Sequence, residues 1–131
     1  MRLVVADTSP LNYLVLIGQV EILPALFERI FVPQTVQNEL RQNEAPESGA
    51  AILLATQIGA DLLLIDDRDG VNVARSRGFA VTGTLGILDL AATRGLIRLN
   101  EAVEHLKNTS FRYPPDVLDA LLARHSPKGK S

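Results

Sequence analysis

The sequence predicts an α/β protein with a central, mostly parallel β-sheet flanked by helices in three layers. Two apolar runs, "LVVA" at residues 3–6 and "LLLI" at 62–65, lack the alternation of a half-exposed strand and read as strands buried on both faces. Helix-length segments follow each of them, several bounded by cap and stop residues. Strands that alternate with helices in this way pair in parallel, because each crossover carries the chain back over a sheet face.

The elements follow in order. Leu3–Ala6 is a strand ending at Asp7; Thr8 and Ser9 offer N-caps, and Pro10 suits the first helical position of a helix reaching about Ile17. "VEILPALF" is a second short helix, with Pro24 in its first turn or kinking it. "RIFVP" is a strand closed by Pro33, which leads into a helix "QTVQNELRQ". "NEAPESGAA" is loop-like, and "AILLATQIGA", apolar on nearly every side, is expected as a buried helix. "DLLLID" is a strand, "DGVNVARSRG" a helix with Asp69 as its best cap, and "FAVTG" a strand. "TLGILDLAATRG" is a helix capped by Thr84 and stopped by Gly95, and "NEAVEHLKN" and "PPDVLDALLARH" are the last helices.

With 131 residues, 47% of them apolar and 21% charged, the chain supports one domain with a proper core. That domain is expected over residues 1–125, with "SPKGKS" at 126–131 as a polar tail. Thirteen basic against 15 acidic side chains give a net charge of −2, which argues against non-specific coating of nucleic acid while leaving room for a local basic patch. The absence of cysteine excludes disulfides and thiolate metal sites. His105 and His125 have no partner at ligand spacing, so zinc is not expected. No apolar run reaches the ~18 residues of a bilayer span, and "MRLVVAD" meets charge too early for a signal peptide. A cytoplasmic protein without a membrane partner is the expectation.

Asp7 ends one predicted strand and Asp66 and Asp67 end another. In parallel sheets the ligand crevice lies beyond the carboxyl ends of the strands, so these acids face one crevice. Carboxylates brought together repel, and one of them tends to stay protonated. A divalent cation reverses that balance. Magnesium and manganese take oxygen ligands and keep several waters, so two or three carboxylates suffice to hold one. Such an ion activates water for attack on a phosphodiester.

Taken together, "VVADTSPL", "VPQTVQNEL", "ADLLLIDDRDG" and "VTGTLGIL" resemble a PIN-domain protein, most closely the DUF3368 branch of prokaryotic VapC-like proteins. The resemblance runs from Val4 to about Ile97 and more loosely through the C-terminal helices. It implies a Mg2+- or Mn2+-dependent endoribonuclease acting on RNA, often the toxin of a toxin–antitoxin pair, with a small antitoxin as partner and a homodimer as the assembly. It carries the acid pattern onto Asp7, Glu39 and Asp67 as catalytic and metal-holding residues, with Asp66 beside them. It also puts the hydroxyls of Ser9 and Thr84 near the metal. The chain departs from the pattern at "APESGAAILLATQ": relatives have a further segment and an acid here, where this chain has Ser48 and Ala50, with Glu47 and Glu44 nearby.

Each acid also has a plainer reading. Asp7 before Thr-Ser-Pro makes a good turn or cap, Asp66 and Asp67 suit a loop before a helix, and Glu39 fits a solvated helix edge. Arg68, Arg75 and Arg77 read most simply as exposed polar residues. A non-cleaving PIN module that binds RNA or a protein is therefore the alternative function. A phosphoacceptor domain is disfavoured, because Lys107, Lys128 and Lys130 are all remote from any predicted strand end.

Overall fold

The computed structural model describes residues 3–33 and 49–125. Four strands and seven helices lie within them, in the order β1 (Leu3–Ala6), α1 (Thr8–Leu16), α2 (Ile22–Leu26), β2 (Arg29–Phe31), α3 (Gly49–Ile58), β3 (Leu62–Leu64), α4 (Arg68–Ser76), β4 (Val81–Thr82), α5 (Thr84–Thr93), α6 (Leu99–Lys107) and α7 (Pro115–Arg124). The predicted helix "QTVQNELRQ" and the acids Glu39, Glu44 and Glu47 lie outside the described residues.

The sheet order is β2-β1-β3-β4, and every pairing is parallel. Val4 pairs with Ile30 on one side and Leu62 on the other, while Leu64 pairs with Ala6 and Thr82. The central strands are apolar throughout because each residue meets a helical layer on one face or the other. Val4, Ala6, Leu62 and Leu64 enter a large core with Leu14, Ile87, Leu88, Val103 and Leu106. Val5, Leu63 and Ile65 point the other way, into a smaller core with Ala51, Ile52, Ala55 and Ala74. Period-two alternation across a sheet buried on both sides thus yields three layers.

Several local expectations change. The N-cap of α1 is Asp7, so Thr8 is the first helical residue and Pro10 the third. The missing N–H of Pro10 is still harmless there, because the first turn has no acceptor for it. Helix α3 is not buried all round. Ala51, Ile52 and Ala55 pack on the sheet residues Val5, Leu63 and Ile65 while Leu53 is 59% exposed, since the sheet covers α3 on one side only. The cap of α4 is Asp67 rather than Asp69, and that of α5 is Gly83 rather than Thr84. Helices α4 and α5 stop where expected, at Gly78 and Gly95, whose φ angles of +86° and +74° suit glycine.

The last helix is held along one face. Leu118 is its one buried residue and Leu121 and Leu122 pack half-buried on the large core, while Asp89 on α5 meets the last helical residue, Arg124, at 3.3 Å and His125 Nε2, just past it, at 2.6 Å. The segment leading to it is pinned on α1, where Tyr13 meets the ring of Phe111 edge-on at 5.0 Å and its hydroxyl lies 3.0 Å from Ser110 Oγ.

Packing sets an expected contrast between two leucines. Leu64→Ala, in a fully buried central strand, should cost about 2–5 kcal/mol. Leu53→Ala on the open face of α3 should stay within about 0.5 kcal/mol. Urea denaturation of both variants measures the difference.

Candidate functional site

The chain leaves β1 to form β2 on one side and leaves β3 to form β4 on the other, so the sheet reverses direction between β1 and β3. Crevices in open parallel sheets form at such a point, beyond the strand carboxyl ends. Asp7 and Asp66 emerge on either side of it. The Asp7 N–H extends the ladder by donating to the Leu64 carbonyl at 2.9 Å, and Ile65 donates to the Thr82 carbonyl at 2.9 Å. Adjacent strand ends therefore deliver the two acids.

Asp7 is 2% exposed, and its side chain makes no capping hydrogen bond to α1. The plain cap reading of Asp7 does not describe it, because the carboxylate is not spent on its own helix. Its neighbour Thr8 is buried as well, and the hydroxyl finds no hydrogen-bond partner among the described residues. Asp7 and Thr8 thus place buried polar side chains at the carboxyl end of β1, where the crevice opens.

The adjacent aspartates of "IDDR" divide. Asp67 is exposed and caps α4, accepting from the Gly70 N–H at 2.8 Å. Asp66 is half-buried and turns toward α5, where Oδ1 accepts from the Thr84 N–H at 2.7 Å and Oδ2 from the Thr84 hydroxyl at 2.6 Å. Helix α5 has no capping side chain of its own, so Asp66 caps it from across the sheet. Burial pushes the Asp66 carboxyl above the usual aspartate range, and the side-chain and backbone hydrogen bonds from Thr84 offset that only in part.

Of the other expected residues, Thr84 is fully buried and holds Asp66. Ser9 is half-buried in the second position of α1 and bonds no carboxylate among the described residues. Arg68 is exposed. Glu39 lies outside the described residues. Gly83 and Gly86 escaped the sequence reading. A Cβ on Gly83 would collide with Asp66 Oδ1, and one on Gly86 with the Thr82 hydroxyl. The available signal was the spacing in "GTLG", two glycines where helix formers would serve α5 better.

The donors at this crevice are hard oxygens, one of them a carboxylate whose charged form burial disfavours. Both features suit Mg2+ or Mn2+, which needs few protein ligands and restores the missing positive charge. Among the described residues, no three Asp, Glu or His side chains gather closely enough to hold a metal. Elsewhere, an open cavity between α6 and α7 is lined by Glu101, Glu104 and His105. Its acids are engaged with Arg98 and Lys107 at 3.3 and 3.4 Å.

The chain matches the DUF3368 family of PIN domains over residues 3–50 and 46–127, and so belongs to that family. The match comes in two stretches that overlap at residues 46–50. No curated protein and no solved structure is significantly similar to the chain.

Two effects of the acid pair are measurable. Asp67→Ala should cost about 0.5–2 kcal/mol, as loss of an N-cap does, seen in denaturant melts. Asp66 differs in sign. With its native pKa raised, the folded state holds a proton that the unfolded chain releases, so its contribution to stability is full below about pH 3.9 and lost as pH rises through the native value. In metal-free protein the stability of wild type relative to Asp66→Asn should therefore fall as pH rises through that window, read from melts at stepped pH.

Proposed function

We propose that this protein is a metal-dependent endoribonuclease that hydrolyses RNA phosphodiesters with a carboxylate-held Mg2+ or Mn2+. PIN domains belong to a nuclease superfamily, and the observation that carries the reading here is Asp7. This acid is buried at a strand end beside Asp66 and is unused as a cap. Two acids delivered by adjacent strand ends to the crevice of a parallel sheet, one of them held above its usual range by burial, are the arrangement that a charge-handling site requires.

Asp7 and Asp66 would hold the ion from the two strand ends, with Glu39 as a further acid. Asp67, at the rim and capping α4, is the weaker candidate for an inner ligand, although the family pattern favours it. When bound, the ion would supply Lewis acidity toward the phosphoryl group and lower the pKa of a bound water. The chain's own contribution is orientation. Asp7 is fixed by the ladder bond to Leu64, and Asp66 by Thr84. Ser9, at the start of α1, would meet substrate or the ion's waters. A toxin role, with a small antitoxin and a homodimer, belongs to the same reading.

A second reading, a PIN module that binds RNA or a protein without cutting, draws support from the lack of a three-acid group among the described residues. Manganese separates the two. On the nuclease reading, millimolar Mn2+ raises the melting temperature and supports RNA cleavage, and Asp7→Asn lowers cleavage by at least the ~100-fold that changes to outer-shell residues already reach. Full activity in Asp7→Asn sinks the assignment, and indifference to Mn2+ favours the non-cleaving module.

A further inference from the structure

We infer that Gly83 and Thr84 are positioning residues for Asp66: together they clamp its carboxylate in one plane at the crevice. The inference rests on the metal role proposed for Asp66 and extends it to two residues that would not touch the ion.

An aspartate at a strand end keeps a freely turning carboxylate unless both oxygens are held. Here both are held by a single residue, the Thr84 N–H taking Oδ1 at 2.7 Å and the Thr84 hydroxyl taking Oδ2 at 2.6 Å. Two donors on one residue fix the plane of the acceptor and not merely its position. Thr84 itself cannot drift. It is fully buried, and it begins a helix anchored in the large core by Ile87, Leu88 and Ala91. A carboxylate offers roughly four lone-pair sites, so each oxygen keeps one directed away from Thr84.

Gly83 makes that approach possible, and for reasons of space rather than backbone freedom. Its φ of −114° and ψ of −165° are extended values open to any residue. A Cβ there would overlap Asp66 Oδ1 and lie 3.3 Å from the Ile65 carbonyl oxygen. Gly86 repeats the device one turn on. Glycine inside a helix costs about 1 kcal/mol relative to alanine, yet a Cβ at this position would overlap the Thr82 hydroxyl. Both glycines let the first turn of α5 settle onto the ends of β3 and β4, where Thr84 reaches Asp66.

Wild type, Thr84→Val, Thr84→Ser and Gly83→Ala would be compared by Mn2+ calorimetry and by kcat and KM for RNA. Thermal melts would establish that each variant folds. Expected are a 10–100-fold weaker Mn2+ affinity in Thr84→Val and Gly83→Ala, of the size seen when outer-shell partners are lost. The kcat should fall with KM for RNA unchanged, and Thr84→Ser should recover to within about threefold of wild type, since it restores the hydroxyl donor. If Thr84→Val does not fold, Thr84→Cys, with only a weak donor, replaces it and should fall between Thr84→Ser and Gly83→Ala. Wild-type affinity in Thr84→Val, or a Thr84→Ser variant no better than Thr84→Val, overturns the inference. A wild-type chain that binds no Mn2+ overturns the metal reading instead.

Discussion

The contact on which this arrangement turns is the one between Asp66 and the first turn of α5. It joins the end of a central strand to a helix that follows three elements later, and it does so with a half-buried carboxyl group. Desolvating a carboxylate is expensive, and the two hydrogen bonds from Thr84 return only part of that cost, since the carboxyl still sits above its usual range. A fold assembled for stability alone would gain more from a serine or asparagine cap at position 83. Instead, position 83 is glycine and the capping acid is borrowed from another strand.

The same logic separates three aspartates that look alike in the sequence. Asp67 has an ordinary structural task and an exposed carboxylate. Asp66 has a structural task performed at an electrostatic cost. Asp7 is buried with no capping task.

Much of the architecture was legible because its signals are local. Unbroken apolar runs marked β1 and β3, and the glycines at 78 and 95 marked the ends of α4 and α5. What stayed illegible depended on partners distant in the chain. The composition of "AILLATQIGA" cannot reveal that only one of its sides meets the sheet. The cap of α5 could not be found by scanning for Ser, Thr or Asp just before it, because the capping acid lies 18 residues upstream of Thr84. Of two adjacent aspartates, sequence spacing gives no means of choosing the inward one; the end of the ladder at Leu64 and the start of α4 at Arg68 decide it. For the same reason, Gly83 passes as a loop glycine until its neighbour across the sheet is known.

The manner in which α7 is attached has a mechanical consequence. Leu118, the half-buried Leu121 and Leu122, and one two-pronged carboxylate on α5 hold it to the domain, and an element with few fully buried side chains opens at a lower free energy than the core strands. A tag or fusion joined after Arg124 would load this helix before any strand, leaving the strand ends and their acids undisturbed.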